Sequence, residues 1–345
     1  MNILLKVMFS TCFLVLTFST KGQEPNADAK LHYTRGSVAY ESKDYSTAIT
    51  EFQQAIENAP EFTSARMSLA YSYIETNQIE KAEEQFLAIT KYLENPHLQF
   101  FELGLIAENS GDLEKAIEYS NQAIHSGKDA KYYYQRGIQH FKNESYAEAI
   151  NDFSETLKLN PQFKDAYNDR GSAHRMQKDN ESAIKDYKQA KDLGRGSVIA
   201  YNNLGNTYRE TGEYKEAINV YNTALSISKD NPMVLNNRGL AKFNNGDLEG
   251  AIEDFKKVIQ IQPDNASAYN NLAGVYIEKE DYEKAIEYSS KSLSKDEDYA
   301  YAYYNRAVAY EMLRKDIQAC QDWQKAADLG IKAAESYSNK MNCEN

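Results

Sequence analysis

The sequence predicts an all-α fold, a solenoid of stacked helical hairpins, and three observations predict it. Small residues recur as Gly36, Ala70, Gly104, Gly137, Gly171, Gly205, Gly239, Ala273 and Ala307, spaced by 34 residues except for a single interval of 33. A second series follows 12 residues after the first: Ala48, Ala82, Ala116, Ala149, Ala183, Ala217, Ala251, Ala285 and Ala319, alanine at all nine places. Within a period, apolar residues fall at helical spacing. A polar turn such as "TGEY" (211–214) or "NGDL" (245–248) intervenes, and a second helical stretch such as "KEAINVYNTALSI" (215–227) follows.

The first 22 residues differ from the rest. Lys6 is followed by an apolar stretch to Phe18 and then by small and polar residues. The stretch is shorter than the roughly 20 apolar residues of a membrane span. It reads as a secretory signal peptide over 1–22, cut after Gly22; the alternative is an uncleaved anchor. Cys12 has no lipobox-like residues before it, so a lipid anchor is not expected. Residues 23–28 read as a short leader.

Nine units follow, at 29–62, 63–96, 97–129, 130–163, 164–197, 198–231, 232–265, 266–299 and 300–333, with a cap helix and tail at 334–345. The cap helix is read from "IKAAESYSNKM" (331–341). In each unit the Gly or Ala of the first helix and the Ala of the second allow close approach of two backbones. A third series, four residues after the alanines, carries Phe52, Phe86, Phe153, Tyr187, Tyr221, Phe255 and Trp323, with Ser120 and Ser289 as breaks. These rings are expected to fill the space between neighbouring units. Pro60, Pro161 and Pro263 close three units. One hairpin cannot bury its apolar face alone, so the units must stack.

This signature resembles the tetratricopeptide repeat, and the resemblance covers residues 29–333. It implies a right-handed superhelix whose first helices line an inner face, and a chain that binds proteins or peptides without catalysing a reaction.

Nine copies of one template allow an internal comparison. Arg35, Arg136, Arg170, Arg238 and Arg306 stand just before the small residue; Glu51, Asp152, Asp186, Asp254 and Asp322 stand just before the third-series residue of the same units. The other four units carry Leu69, Leu103, Leu204 and Leu272 at the first place and no acid at the second. The two places switch together, which predicts an ion pair between the helices of five hairpins: Arg35–Glu51, Arg136–Asp152, Arg170–Asp186, Arg238–Asp254 and Arg306–Asp322. The planar guanidinium suits two-point contact with a carboxylate.

The inner positions divide the chain. Repeats 2–4 place Met67, Tyr71, Phe101, Leu105, Tyr134, Ile138 and Phe141 there. Later repeats place asparagine: Asn168, Asn202, Asn236 and Asn270 three residues before the small residue, and Asn203, Asn237, Asn271 and Asn305 two before it. Arg175 and Arg209 add positive charge in adjacent repeats. An amide both donates and accepts, so such rows can hold a peptide backbone. They look like the rows in O-linked N-acetylglucosamine transferases, of which only the binding idea carries over. The other reading is that they are solvated template residues. The candidate ligand-binding residues are therefore these eight asparagines with Arg175, Arg209, Tyr71, Phe101, Tyr134 and Phe141. The chaperone-binding subclass of the family uses a lysine clamp, and no lysine stands three before the small residue in any unit.

Composition narrows the function further. A net charge of −12 opposes binding to nucleic acid or to an anionic membrane surface. No phosphate loop, nucleophile–base set or zinc spacing occurs, so neither an enzyme nor a cofactor nor a metal is expected. His140 and His174 occupy places held elsewhere by tyrosine and read as its polar replacements, with a metal or pH-sensing pair as the alternative. Cys320 stands where seven other units have isoleucine, and Cys343 lies at the end of the cap, so a Cys320–Cys343 disulfide would staple the cap to the last unit. The expectation is an exported scaffold, periplasmic or secreted and of Gram-negative bacterial type. It would bind a protein or an extended peptide and would not insert in the membrane once its signal is cleaved. The second reading is a module for a small ligand or glycan in the tyrosine-rich groove.

Overall fold

The computed structural model describes residues 24–194 and 197–340, without the side chains of 338–340. The signal-peptide stretch and Cys343 lie outside them. The described residues form nineteen helices and no strand. The chain divides into two compact units, Met1–Ala166 and Tyr167–Asn345.

In the first unit, hairpins pair α1 (Ala27–Glu41) with α2 (Tyr45–Asn58), α3 (Thr63–Glu75) with α4 (Ile79–Thr90), α5 (His97–Asn109) with α6 (Leu113–Ser126), and α7 (Ala130–Lys142) with α8 (Tyr146–Leu159). Helix α9 (Lys164–Met176) carries the boundary. In the second unit, α10 (Asn180–Leu193) follows α9. Then α11 (Val198–Glu210) pairs with α12 (Tyr214–Ile227), α13 (Pro232–Asn244) with α14 (Leu248–Ile261), α15 (Ala266–Glu278) with α16 (Tyr282–Lys295), and α17 (Ala300–Met312) with α18 (Asp316–Asp328). Helix α19 (Lys332–Lys340) packs on α18. Ala27 and Asp28, expected in the leader, already belong to α1, because the Asn26 side chain caps its first turn through the Ala29 amide.

Every hairpin turn uses the same backbone device. The residue seven after the small residue takes a left-handed conformation in all nine: Lys43, Asn77, Gly111, Glu144, Lys178, Gly212, Gly246, Glu280 and Arg314, with φ from 57° to 83°. The next amide reaches back five residues to a carbonyl of the first helix, as from Asp44 to Ala39 and from Asp247 to Lys242 at 2.9 Å each. That residue is often aspartate. Asp44, Asp112, Asp179, Asp247 and Asp281 then accept the amide three residues on and start the second helix.

The nine alanines of the second series are all fully buried, as are the seven rings of the third. In five hairpins the ring also lies against the small residue of its own hairpin. A Cβ added at Gly205 would stand 2.5 Å from Tyr221 Cε1, and one at Gly36, Gly137 or Gly239 would stand 2.7 Å from the ring of Phe52, Phe153 or Phe255. Glycine is required because the ring sixteen residues on lies against its backbone. Where Ser120 replaces the ring, its hydroxyl donates to Gln139 Oε1 of the next hairpin at 2.8 Å, and Gln139 Nε2 donates to Glu108.

Four of the five arginines meet their acids. Arg136, Arg170, Arg238 and Arg306 each grip an aspartate through Nε and Nη2, at distances from 2.5 to 2.9 Å. The four aspartates are at most 5% exposed. Nη1 of Arg136, Arg238 and Arg306 also reaches the second helix of the preceding hairpin, at Asn121, Asn222 and Ser290. The arginine thus ties its own hairpin and the one before it. The Arg35–Glu51 pair does not form: Arg35 is exposed, and Glu51 accepts from His32 Nδ1 at 2.8 Å. His32 lies one helical turn nearer the start of α1 and takes the acid instead.

Gly205→Ala should lower stability by about 1–3 kcal/mol, because Tyr221 must move. Gly274→Ala should raise it by about 0.5–1 kcal/mol, since that glycine lies inside α15 with its nearest added contact, Asn305 Nδ2, at 4.0 Å; denaturant midpoints decide both. Asp322→Ala should cost about 3 kcal/mol by leaving Arg306 unpaired, and Arg306→Leu with Asp322→Val should recover much of it. Asp254 is a less clean test, because Lys242 Nζ also reaches it at 3.0 Å.

Candidate functional site

In the second unit the two asparagine rows meet each other. Asn203 Nδ2 donates to Asn168 Oδ1 at 3.0 Å; Asn237 to Asn202, Asn271 to Asn236 and Asn305 to Asn270 do the same at 2.9 Å. Each bond joins one odd-numbered helix to the previous one. The rows are therefore neither a free ladder nor merely solvated. Each pair spends one N–H and one carbonyl on holding adjacent repeats in register. Asn202 and Asn270 are buried, whereas Asn203, Asn237, Asn271 and Asn305 are partly exposed. The latter four spend an N–H on the pair and keep a carbonyl oxygen as an acceptor, one per repeat.

Arg175 and Arg209 lie in the same unit. Arg175 Nη1 donates to Glu210 at 2.9 Å. The Nε atoms of both arginines are buried without a hydrogen-bond partner. Burial pushes the Tyr221 hydroxyl up, and Arg209 beside it acts the other way. That hydroxyl donates to Asn206 Oδ1 at 2.7 Å.

In the first unit the candidate rings are engaged with rings of their own chain. Tyr71 packs edge-on against Phe86, Phe101 against Tyr132, Tyr134 against Phe153 and Phe163, and Phe141 against Tyr146. The same face carries Glu102, which the sequence reading passed over. Glu102 stands two before Gly104, in register with the linking asparagines, and it links backward as they do: Tyr71 Oη donates to its Oε1 at 3.4 Å. Burial pushes its carboxyl up to about 7, against smaller opposing effects of Tyr71 and Lys131. Packed protein encloses most of the side chain, and part of it reaches water. In the next repeat Gln135 occupies this place and reaches back to Glu108, which also holds Lys142.

The histidines join the ion pairs. His140 Nε2 lies 3.8 Å from Asp152, and His174 Nε2 lies 3.9 Å from Asp186. Burial holds His140 below the usual imidazole range. Among the described residues no group of acids, histidines and cysteines could hold a metal, and no helix is long and apolar enough to cross a membrane. Cys320 is half-buried and disulfide-bonded, and it is the one cysteine within the described residues. Beside it in the cap region, Trp323 stacks on Tyr337 at 4.7 Å between ring centroids.

Comparison with known proteins agrees with this architecture. Models described as tetratricopeptide or TPR repeats match residues 100–125, 134–198, 205–246, 239–279 and 266–299. A model described as "surface lipoprotein assembly modifier, N-terminal TPR repeats" matches residues 20–86. Among curated proteins, the BBSome complex member bbs-4 of Caenorhabditis elegans is 38% identical over 77 residues, 21% of this chain and 17% of that protein. Human tetratricopeptide repeat protein 13 is 29% identical over 155 residues, 41% of this chain and 17% of that protein. The matched stretches thus span about a sixth of these relatives. Among solved structures, the C-terminal part of a TPR repeat-containing protein from Cytophaga hutchinsonii has a TM-score of 0.55 at 19% identity, covering 68% of this chain and 98% of its own. A tetratricopeptide repeat protein from Parabacteroides merdae has a TM-score of 0.54 at 19% identity, covering 72% and 98%. The APC/C hetero-tetramer Cut9–Hcn1 has a TM-score of 0.54 at 16% identity, covering 92% and 77%. These structural likenesses are of fold alone. The repeat models lie over hairpins whose small residue, buried alanine and ring recur in register, and the chain belongs to the tetratricopeptide-repeat family.

Proposed function

We propose that the chain is a non-catalytic interaction scaffold that holds an extended segment of a partner protein along the odd-helix face of its second unit. The observation that carries this reading is the set of four asparagine pairs. Each presents a partly exposed amide, already oriented by its neighbour, with a carbonyl oxygen to spare. An amide locked by one hydrogen bond loses little entropy when it makes a second, which favours binding. A row of equivalent acceptors, one per repeat, suits backbone N–H groups and ignores side chains. Arg175 and Arg209 at one end supply positive charge on a chain that is acidic overall. The reading of residues 1–22 as a signal peptide supports an exported, envelope-associated setting. The match of residues 20–86 to the N-terminal repeats of surface lipoprotein assembly modifiers supports it as well.

A photo-crosslinking residue placed at Asn203, partly exposed on this face, should capture a partner in extracts of the native source, and mass spectrometry should identify the captured segment. A synthetic peptide of that segment should then bind about 3- to 10-fold more weakly to Asn237→Ala, for one lost hydrogen bond of about 1 kcal/mol. Asn202→Ala removes the same inter-repeat bond from its buried side. It should lower the unfolding midpoint and weaken binding less. Crosslinks that form only from positions on the even helices would move the site elsewhere.

A further inference from the structure

Glu102 makes its backward link through an acid where a neutral residue would serve. The equivalent places in repeats 4 and 6–9 are amides, Gln135, Asn203, Asn237, Asn271 and Asn305, which make the backward link as neutral groups. An amide at 102 could accept the Tyr71 hydroxyl equally well. A carboxylate in the same enclosure carries a desolvation cost that the link does not repay. Glu108, on the same helix, shows how this unit treats an acid that belongs to its structure: Lys142 neutralises it, and Gln135 and Gln139 complete its hydrogen bonds. Among the described residues no lysine, arginine or histidine forms an ion pair with Glu102, whose one hydrogen bond is the long one from Tyr71.

The surroundings favour a cation. Lys131 Nζ lies over the Phe101 ring at 5.7 Å and over the Tyr132 ring at 5.1 Å from the centroids. The chain's own ammonium lies over these π-faces, 4.0 Å from Asp129 Oδ2, and is near enough to act on the Glu102 carboxyl without bonding to it. Tyr132 is fixed in place, fully buried, by the contact of its hydroxyl with His97 Nδ1 at 2.6 Å.

We propose that Glu102, the Tyr71 hydroxyl and the rings of Phe101 and Tyr132 form a receptor for one basic side chain, arginine or lysine, of a protein partner, with Lys131 as an internal cation that the ligand displaces. This receptor lies in the first unit and shares no residue with the asparagine pairs of the second, so either reading can fail alone. A guanidinium suits it better than an ammonium, since its plane can stack on a ring while its N–H groups meet the carboxylate.

The test uses the full chain and two capped peptides, Ac-Ala-Ala-Arg-Ala-Ala-amide and the same peptide with Gln at the centre, titrated by NMR with carboxyl-labelled glutamate. The Arg peptide should shift the Glu102 carboxyl signal at pH 8, and the Gln peptide should not. Glu102→Gln should weaken Arg-peptide binding at least tenfold. Lys131→Met should strengthen it about 3- to 10-fold, a direction that a purely structural Glu102 does not predict. The groups facing Glu102 are Tyr71 from α3 and Lys131 and Tyr132 from α7. Tyr132 is pushed up by burial, and His97 behind it is held below its usual range. The Glu102 carboxyl, raised by burial to about 7, changes charge between pH 8 and pH 6, so affinity should fall about tenfold as it protonates. Equal binding of the two peptides, Glu102→Gln binding as tightly as the parent chain, or weaker binding by Lys131→Met would each overturn the proposal.

Discussion

The fold depends on a single contact made once per hairpin, a side chain of the second helix pressed against a small residue of the first, sixteen positions earlier. In seven hairpins that side chain is a large ring, and its full burial fixes how far apart and in what rotation the two helices lie. A hairpin so fixed has a face left to bury, and the next hairpin, or α19 at the C-terminal end, covers it. The 34-residue period is the sequence trace of this demand. The one 33-residue interval falls between Gly104 and Gly137, at the hairpin where Ser120 takes the ring's place and a polar network through Gln139 and Glu108 takes over part of its work.

Charge is handled by the same logic of position. Four aspartates are buried almost completely, a placement that is costly unless a guanidinium meets both oxygens. The arginine does so with two of its nitrogens, and Arg136, Arg238 and Arg306 use a third to hold the preceding hairpin. The pair therefore sets the stacking register as well as closing the hairpin. Arg35 is the exception: the arginine is exposed and its acid is taken by His32.

Much of this was legible because the chain offers nine samples of one template. The small-residue and alanine series fixed the hairpins, and the joint switching of Arg and Leu with acid and neutral residues found the ion pairs. What escaped notice lay across repeat junctions or under variable residue types. Asn121, Asn222 and Ser290 share a role without sharing chemistry. The left-handed turn residue is glycine in only three hairpins; lysine, glutamate, asparagine and arginine hide it in the others, held there by the reach-back hydrogen bond. The sequence presents the two asparagine rows as surfaces facing a ligand or solvent, but residues 35 apart are neighbours across a junction, and the rows bond to each other. Glu102 was overlooked because it stands in an amide row as a different residue type.

The asparagine pairs also bear on how the second unit yields. They lie in series, one per junction, with near-identical geometry from Asn168 to Asn305. No junction in that run is marked as its weak point by this contact. In an array whose units touch only their neighbours, uniform junctions make internal breaks as costly as each other, and loss of structure begins where a unit has one neighbour instead of two. At the C-terminal end that unit is covered by α19, with the Trp323–Tyr337 stack and the bonded Cys320 beside it. The run thus behaves as a zipper whose last tooth is locked, and opening it from that end requires the lock to go first.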